Sequence, residues 1–208
     1  MNTKKIYLTR HGQTDYNKKR VVQGSGIDAD LNELGRAQGK AFYDYYKHLP
    51  IDQMYVSALK RTHQSMQNFI DSGLNYAVLP ELNEISWGVK EGVPTDAAGN
   101  AFYLDMIERW QQGETNFGIE GGESPDEVAI RMRRALDQIL SQPDEQNVLI
   151  CMHGRAMRVM LAVMLNYPIK AMDMFEHSNL CMYELTWSGN MFTVNRYNDT
   201  THLTFAGL

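Results

Sequence analysis

Residues 6–12 read IYLTRHG, an apolar run that ends in an arginine, a histidine and a glycine. A second run at residues 148–154, VLICMHG, ends in a similar way, and its His153 follows His11 by 142 positions (153 − 11). Each run has the length and composition of a buried strand, and the carboxyl ends of parallel strands line the edge of a sheet where ligands bind. The sequence therefore predicts that the two histidines meet at that edge, in a catalytic site.

The composition is that of an ordinary globular domain. The chain has 208 residues, 43 % of them hydrophobic and 22 % charged, and a net charge of −5. We therefore expect a single domain over residues 1–208, with a small cap-like insertion at about 86–122. The mild acidity predicts neither a nucleic-acid nor a membrane partner, since both need a basic face. The polar first residues and the lack of a long apolar run predict a cytoplasmic protein.

Strand-like and helix-like apolar runs alternate along the chain, a pattern typical of βαβ units. The predicted fold class is therefore α/β, a three-layer α/β/α sandwich with a mostly parallel central sheet. Strands are predicted at residues 6–9, 53–56, 77–79, 148–152, 180–187 and 192–196. Helices are predicted at residues 32–48, 101–111, 125–139 and 154–165, and after Ser57, which is expected to cap its helix. Residues 13–30 are polar and rich in glycine, which predicts a loop.

Three strand ends supply the residues of a compact cationic pocket. Arg10 and His11 leave the first strand, and His153 leaves the fourth. Arg61 lies in the first turn of the helix that follows the second strand. Such a pocket suits a dianionic phosphate, because guanidinium groups match phosphate oxygens in bidentate geometry and helix N-termini add N–H donors.

A histidine that arginines hold against a phosphate is a good phosphoryl acceptor, since one ring nitrogen attacks while the other is fixed as N–H. The arginines stabilise the charge on the equatorial oxygens, so neither a metal nor another cofactor is expected. The leaving alkoxide also needs a proton donor. Glu84, which follows the third predicted strand, is the first candidate for that role, and Glu81 and Glu91 are its rivals.

A metal site is the alternative use of the same groups, with His11, His153 and Glu84 as ligands of Zn²⁺ or Fe²⁺. Arg10 and Arg61 would repel that cation, and no HxH or HxxxH spacing supports the site. The phosphate pocket is therefore the preferred interpretation.

Aromatic residues are concentrated in and next to the insertion, at Trp87, Phe102, Tyr103 and Trp110. They form either the mouth of the substrate pocket or a small aromatic core beneath the insertion. The full set of residues expected at the mouth is Gln23, Gly24, Trp87, Arg109 and Trp110.

Four histidines remain outside the predicted pocket. His48, His63 and His202 are expected at the surface. His177, in the EHSN segment at residues 176–179, is expected to be structural, although a place near the pocket stays open.

The order of the motifs resembles the histidine phosphatase superfamily, the group that includes the cofactor-dependent phosphoglycerate mutases, over nearly the whole chain. Residues 8–17, LTRHGQTDYN, look like the family's RHGETxxN signature, and residues 57–62, SALKRT, are similar to its SPLxRT motif. Further similar segments are QG at 23–24, DxxLxxxGxxQ at 28–38, the acid motif LNE at 82–84 with Gly88, GGES at 121–124, and the second His-Gly strand at 148–154.

The resemblance implies an α/β sandwich in which His11 is the phosphorylated nucleophile and Glu84 is the proton donor. The phosphate pocket that it implies consists of Arg10, Asn17, Arg61, His153 and Gly154. The expected partner is a small-molecule phosphomonoester, and the late edge strands could also support a homodimer.

Departures from the family pattern favour a phosphatase over a mutase. Ile85 follows Glu84, where the glycolytic mutases carry a basic residue, and Arg109 is the only basic residue between Lys90 and Arg131. A phosphoglycerate site needs more cationic groups for its second anion. We therefore expect a metal-independent phosphomonoester hydrolase that acts through a phosphohistidine on a small phosphorylated metabolite. The alternatives are a phosphoglycerate mutase and a non-catalytic phospholigand-binding protein, and the complete residue set weighs against the latter.

Overall fold

The chain forms a six-stranded sheet in the computed structural model, which describes residues 3–93 and 97–208. The strands are β1 (Lys4–Arg10), β2 (Gln53–Val56), β3 (Tyr76–Val78), β4 (Asn147–Met152), β5 (Met182–Trp187) and β6 (Phe192–Asp199). Their order across the sheet is β3-β2-β4-β1-β5-β6. β1 to β4 are mutually parallel, whereas β5 runs antiparallel to both β1 and β6. The prediction of a mostly parallel sheet is confirmed.

Helices cover both faces of this sheet, as expected of a three-layer sandwich. Those of the described residues are α1 (Asp15–Lys19), α2 (Glu33–Tyr46), α3 (Lys60–Ser65), α4 (Gln67–Asp71), α5 (Ala97–Gln112), α6 (Pro125–Leu140), α7 (Gly154–Met164) and α8 (Thr201–Phe205). Short 3₁₀ helices occupy Pro80–Leu82, Gly88–Lys90 and Ile169–Met174. α5, α6 and α7 pack over one face, and α2 and α4 pack over the other. None of these helices is long and apolar enough to cross a bilayer.

β4 shows how a strand divides the core into two halves. Val148, Ile150 and Met152 pack beneath α5, α6 and α7, whereas Leu149 and Cys151 pack beneath α2 and α4. The side chains alternate because successive residues of a strand point to opposite faces of the sheet. All five are fully buried, which is why β4 reads as a continuous apolar run in the sequence.

α6 begins at the capping box that the sequence predicts. The Ser124 hydroxyl accepts a hydrogen bond from the N–H of Glu127, and the Glu127 carboxylate accepts one from the N–H of Ser124. Pro125 occupies the first helical position, where its missing N–H costs nothing. The buried side of the helix repeats every three or four residues, at Val128, Met132, Ala135 and Ile139.

The two ends of the segment 86–122 are tied together. The N–H of Val89 donates to the carbonyl of Glu120 over 3.1 Å, and the N–H of Glu123 donates to the carbonyl of Ser86 over 2.9 Å. Residue 88 has to be glycine, because its φ is +50° and a Cβ on Gly88 would lie 2.1 Å from the Glu120 oxygen. The segment therefore leaves and rejoins the fold at one place, and it carries the predicted helix as α5; its residues 94–96 lie outside the described residues.

Residues 13–30, predicted as a loop, contain the short helix α1. The Thr14 hydroxyl accepts from the N–H of Asn17, and the Asn17 side-chain oxygen accepts from the N–H of Thr14, both over 3.2 Å. The prediction misses α1 because its capping box uses Asn in place of Glu or Gln and the helix has only five residues. α8, equally short, has no apolar pattern long enough to predict it.

Ser57 does not cap a helix, contrary to prediction. α3 begins after Leu59, which has no capping oxygen. The Ser57 hydroxyl instead bonds to Nε2 of His153 over 2.7 Å and to the hydroxyl of Thr62 over 3.1 Å. The helix predicted to follow Ser57 is also interrupted at Met66, whose ψ of 8° separates α3 from α4.

His202, expected at the surface, is buried with 1 % of its area exposed. Its ring lies edge-on to Phe42 and Tyr46, with 5.2 Å between ring centroids in each case. Burial lowers the pKa of His202 to about 4, so the ring is neutral at neutral pH. The prediction is wrong because α8 packs on α2, a contact between segments far apart in the chain.

Candidate active site

The two predicted histidines meet at the carboxyl ends of neighbouring strands. β1 and β4 pair with Arg10 opposite Met152, and the N–H of His11 donates to the carbonyl of Met152 over 2.9 Å. This register places His11 beside His153, with ring centroids 5.1 Å apart and ring planes tilted by 54°. His11 is 3 % exposed and His153 is fully buried, so the pair is shielded from bulk solvent.

His11 has one ring nitrogen committed to the backbone. Its Nδ1 lies 2.7 Å from the carbonyl oxygen of Gly12, and because a carbonyl only accepts, Nδ1 carries the proton. Burial, with the positive charges of Arg61 and Arg10, lowers the pKa of His11 well below its ordinary value. The ring is therefore neutral, and Nε2 holds an unshared electron pair. Residue 12 has to be glycine, since a Cβ there would lie 2.6 Å from the carbonyl oxygen of Gly35.

His153 is fixed in the opposite tautomer. Nε of Arg61 donates to Nδ1 of His153 over 3.1 Å, and because a guanidinium cannot accept, that Nδ1 is unprotonated. The proton of the neutral ring is then on Nε2, which donates to the Ser57 hydroxyl over 2.7 Å. Burial, followed by the charge of Arg61, lowers the pKa of His153 well below its ordinary value.

Arg61 is a fully buried cation held by neutral acceptors. Besides its bond to His153, it donates through Nη1 to the carbonyl of Ile27 over 2.7 Å and through Nη2 to the carbonyl of Gly24 over 3.2 Å. Burial lowers the pKa of Arg61 to about 10, so the guanidinium stays charged at neutral pH. The predicted mouth residue Gly24 thus contributes its backbone oxygen to the pocket wall.

Arg10, at the end of β1, places its guanidinium group in the pocket. Its Nη1 lies 3.3 Å from Nδ1 of His177, which must accept because a guanidinium only donates. Nε of Arg10 is buried and has no hydrogen-bond partner among the described residues. Among the described residues, no carboxylate forms an ion pair with Arg10 or with Arg61. Two guanidinium groups without a direct counter-ion make this an anion site.

His177 is a pocket residue that the sequence analysis did not select. Its ring packs against Gly154, where a Cβ would lie 2.9 Å from Cε1 of His177, so a larger residue at position 154 would displace the His177 ring. Burial, followed by the charges of Arg10, Arg158 and Arg155, lowers the pKa of His177 to about 2. No local pattern marks this histidine, because it reaches the pocket only through the pairing of β5 with β1.

Glu84 lies at the N-terminus of α7. Its Oε1 accepts from the N–H of Ala156 over 2.8 Å and from the N–H of Ile85 over 3.0 Å. Its Oε2 accepts from the N–H of Arg155 over 3.1 Å. Burial lowers the pKa values of Arg10 and Arg61, and the charge of Glu84 opposes that change, so the carboxylate is within electrostatic reach of both.

Arg131 of α6 fastens the loop that carries Glu84. Its Nη1 donates to the carbonyls of Glu81 and Asn83, both over 2.6 Å, and its Nη2 donates to the carbonyl of Glu84 over 3.2 Å. Nε and Nη2 also donate to the two carboxylate oxygens of Glu123, over 2.8 and 2.9 Å. Such bidentate pairs are strong and directional. No sequence pattern marks Arg131, although its partner Glu123 belongs to the GGES segment.

Glu91 and Glu81, the rivals of Glu84, make different contacts. Oε1 of Glu91 accepts from the N–H of Trp87 over 3.0 Å and packs on Gly24, where a Cβ would lie 2.2 Å from that oxygen. Glu81 contributes its backbone carbonyl to Arg131. Of the three carboxylates, Glu84 is the one whose hydrogen bonds hold it at the start of α7.

Asn17 is joined to the backbone of His11 by one amide. Nδ2 of Asn179 donates to the Asn17 side-chain oxygen over 3.3 Å and to the carbonyl of His11 over 2.9 Å. Gln23 is held nearby in the chain, since its side-chain oxygen accepts from the Thr14 hydroxyl over 2.8 Å. The structure therefore brings Asn17 to the pocket and ties Gln23 to the cap of α1.

Three residues expected at the substrate mouth make contacts within the segment 86–122. Trp110 is 1 % exposed and donates through Nε1 to the carbonyl of Phe117 over 2.8 Å, and Trp87 packs 6.1 Å from it between ring centroids. The two indoles form the aromatic core that was the alternative interpretation. Arg109 pairs with Glu114 over 2.7 Å and covers the Phe117 ring at 3.5 Å. The composition of the segment could not distinguish a substrate mouth from an aromatic core, because aromatic residues are common in both.

The metal alternative requires His11, His153 and Glu84 to converge on one cation. In the structure, both ring nitrogens of His153 and both oxygens of Glu84 take part in protein hydrogen bonds. Within residues 3–93 and 97–208, no group of three or more His, Cys, Asp or Glu side chains is placed to hold a metal ion.

Comparison with known proteins identifies one family over nearly the whole chain. The family model described as histidine phosphatase superfamily, branch 1, matches residues 6–200. A protein of Erwinia tasmaniensis that carries the name "probable phosphoglycerate mutase GpmB" is 31 % identical over 208 residues, which cover 95 % of this chain and 94 % of that protein.

Solved structures share the fold. The mycobacterial glucosyl-3-phosphoglycerate phosphatase in complex with VO3 has a TM-score of 0.83 and 25 % identity, and the match covers 95 % of this chain and 100 % of that one. The alpha-ribazole phosphatase of Shigella flexneri has a TM-score of 0.80 and 20 % identity, with 94 % and 96 % covered. The family model, the shared fold and the order of the motifs all agree. The chain belongs to branch 1 of the histidine phosphatase superfamily.

Proposed function

We propose that the protein is a metal-independent phosphomonoester hydrolase that acts through a phosphohistidine on a small phosphorylated metabolite. The observation that carries the proposal is the neutral ring of His11, whose proton the Gly12 carbonyl holds on Nδ1. Nε2 is left as a nucleophile in a pocket that also contains Arg10 and Arg61. Membership of the superfamily supports this chemistry.

In the first half-reaction, Nε2 of His11 attacks phosphorus while the bond from phosphorus to the ester oxygen breaks. Arg10 and Arg61 balance the charge on the oxygens that do not react, and Nε of Arg10 is a donor that no described residue occupies. The ester oxygen takes a proton from Glu84 and leaves as an alcohol. The arginines supply the positive charge, so the step needs no metal ion.

In the second half-reaction, water attacks the phosphorus of the phosphohistidine and the phosphorus–nitrogen bond breaks. Glu84, now a carboxylate, accepts the proton of that water, and inorganic phosphate leaves. His11 returns to its neutral form with the proton still on Nδ1.

The two oxygens of Glu84 are unequal, which decides where the proton is held. Oε1 accepts two backbone N–H groups, whereas Oε2 accepts only the N–H of Arg155 over 3.1 Å. Protonation of Oε2 sacrifices one hydrogen bond and protonation of Oε1 would sacrifice two. Oε2 is therefore the oxygen that donates to the leaving group.

A phosphoglycerate mutase is the second candidate. It is favoured by the name of the Erwinia tasmaniensis relative and by Arg155 and Arg158, which bring positive charge close to His177. A mutase would return the phosphoryl group to the bound product instead of to water. The hydrolase is preferred because Ile85 replaces the basic residue of the glycolytic mutases and Arg109 is engaged with Glu114.

A non-catalytic phospholigand-binding protein is the third candidate. Binding of a phosphate needs Arg10 and Arg61, but it needs neither an unprotonated Nε2 on His11 nor a carboxylate at the start of α7. The presence of both groups weighs against a purely binding role.

The test is phosphate release from a panel of phosphomonoesters with excess chelator present. Wild-type protein and the exposed-histidine control His48→Ala should release phosphate, and His11→Ala should not. Loss of all activity on addition of chelator would contradict the metal-independent step. Undiminished activity of His11→Ala would contradict the nucleophile, and isomerisation without phosphate release would identify a mutase.

A further inference from the structure

His177 has a neutral ring whose proton is held on one nitrogen. Its Nδ1 lies 3.3 Å from Nη1 of Arg10, and because a guanidinium group only donates, Nδ1 is the acceptor. Burial, followed by the charges of Arg10, Arg158 and Arg155, keeps the pKa of the ring at about 2, so the ring carries a single proton at neutral pH. That proton is therefore on Nε2, and the Nε2–H group is a fixed donor.

The Nε2–H group of His177 is not used by the fold. The hydrogen bond between the ring and Arg10 involves Nδ1, and no described residue accepts a hydrogen bond from Nε2. The residue is half-buried. A donor without an acceptor costs free energy when it is taken out of water, unless a ligand supplies the acceptor. The free donor therefore indicates a ligand contact.

Gly154, at the start of α7, brings this donor close to a second one. A Cβ on Gly154 would lie 3.1 Å from Nε2 of His177 and 3.4 Å from Nε of Arg10. Nε of Arg10 is buried and has no hydrogen-bond partner among the described residues. Both nitrogens thus adjoin one small space beside a residue that has no side chain. A phosphoryl group carries several acceptor oxygens, so one such group can accept from both donors.

The segment that carries His177 is also close to the nucleophile. After burial and the two arginines of the pocket, His177 is the next group that lowers the pKa of His11. Nδ2 of Asn179, in the same EHSN segment, donates to the carbonyl of His11 over 2.9 Å. The ring of His177 is therefore within electrostatic reach of the nitrogen that attacks phosphorus, on a segment bonded to the same residue.

We propose that His177 binds the reacting phosphoryl group directly, its Nε2–H donating to an oxygen that does not react, while its Nδ1 holds the guanidinium group of Arg10 in place. The inference rests on the proposed function and adds a residue to its phosphate pocket. A neutral imidazole combines an acceptor and a donor in one rigid ring. An arginine in this position would offer no acceptor to Arg10, and an apolar residue would offer neither group.

Three substitutions of His177 separate its two roles. The amide of asparagine reaches about as far as Nδ1, so His177→Asn keeps an acceptor for Arg10 and loses the donor at Nε2. The amide of glutamine reaches about as far as Nε2, so His177→Gln keeps a donor there. His177→Phe keeps a ring and removes both polar groups.

The measurement is the affinity for inorganic phosphate, by titration calorimetry with chelator present. We expect a loss of about tenfold or more in His177→Asn, as for one hydrogen bond to a charged group. The loss should be larger in His177→Phe and smaller in His177→Gln. His48→Asn, which changes an exposed histidine, is the matched control and should bind phosphate like the wild type.

The pattern of losses decides between a phosphate contact and a structural role. An affinity that falls in His177→Phe but not in His177→Asn would make the ring a support for Arg10 alone, and it would contradict the contact. If His177→Phe does not fold, the two amide variants still decide, because binding by His177→Gln that is no tighter than binding by His177→Asn also contradicts the contact.

Kinetics separate a failure of this inference from a failure of the proposed function. Weaker phosphate binding by His177→Asn, with no phosphate release by the wild type from any phosphomonoester, would support the contact and contradict the hydrolase. Phosphate release by the wild type, with both phosphate affinity and kcat/KM unchanged in His177→Asn, would support the hydrolase and overturn the contact.

Discussion

The rings of His11 and His153 lie 5.1 Å apart, the first protonated on Nδ1 and the second on Nε2. A main-chain carbonyl fixes the first tautomer, and Arg61 fixes the second. Two neutral imidazoles can share a cationic pocket without adding to its charge, which leaves the arginines to attract the phosphate. The protonation states of this pair are therefore the basis of the proposed chemistry.

The pKa of His11 should be measurably low. Burial and the charges of Arg61 and Arg10 favour the neutral ring, so Nε2 should stay unprotonated well below the ordinary value of about 6.5. Nitrogen NMR of the imidazoles at pH 6 should show proton occupancy on Nδ1 alone. Arg61→Met should raise the pKa of His11, because the second cause of its lowering is removed. A doubly protonated His11 ring in the wild type at pH 6 would contradict the tautomer assignment.

The buried ring of His202 should make stability depend on pH. Its pKa is about 4 in the folded protein and about 6.5 in the unfolded chain, so below pH 6.5 the unfolded state binds a proton that the folded state does not. The free energy of unfolding should therefore fall as the pH falls from 6.5 to 4. In His202→Phe, which suits the edge-on contacts to Phe42 and Tyr46, urea unfolding should show a shallower fall. An identical slope in the variant would show that His202 titrates normally.

Glu84→Gln should slow poor leaving groups more than good ones. Departure of an alkoxide from glycerol 3-phosphate needs a proton, and loss of a general acid costs about 10²–10⁴-fold in rate. p-Nitrophenolate leaves with little protonation, so its rate should fall much less. The glutamine amide also faces backbone N–H groups of α7, so thermal unfolding has to accompany the kinetics. Glu81→Gln is the matched control, and equal losses on both substrates in Glu84→Gln would move the acid role elsewhere.

Arg131 should act as a positioning residue for Glu84. Arg131→Met removes three hydrogen bonds to the carbonyls of the loop and the pair with Glu123, and we expect a loss of about 1–3 kcal/mol in the free energy of unfolding. If the loop holds the acid in place, the variant should also show the leaving-group dependence of Glu84→Gln. Lower stability with no change in that dependence would leave Arg131 a purely structural role.

The strands and the histidine pair could be predicted because they depend on local sequence. β1 and β4 are buried on both faces, so each appears as an apolar run, and each is followed by His-Gly. Parallel pairing then puts His11 beside His153 without further information. The capping box of Ser124 and Glu127 is equally local, and it locates the start of α6.

The remaining features depend on contacts between distant segments. His177 lies near the pocket only because β5 pairs with β1, and Arg131 meets the Glu84 loop from another helix, 47 positions along the chain. The place of Trp110 depends on the hydrogen bond from its indole to the carbonyl of Phe117, within the segment 86–122. The sequence pattern shows the spacing of residues within one helix or strand, but it does not show which helices and strands pack together.

The most direct test of the account is to trap the phosphorylated enzyme. Protein mixed with a phosphomonoester and quenched in alkali should carry one phosphoryl group on the peptide that contains His11, and acid should remove it, as expected of a phosphorus–nitrogen bond. His11→Ala should carry none, while His48→Ala should behave like the wild type. A phosphoryl group on another residue, or phosphate release with none detectable on rapid quenching, would contradict the phosphohistidine mechanism.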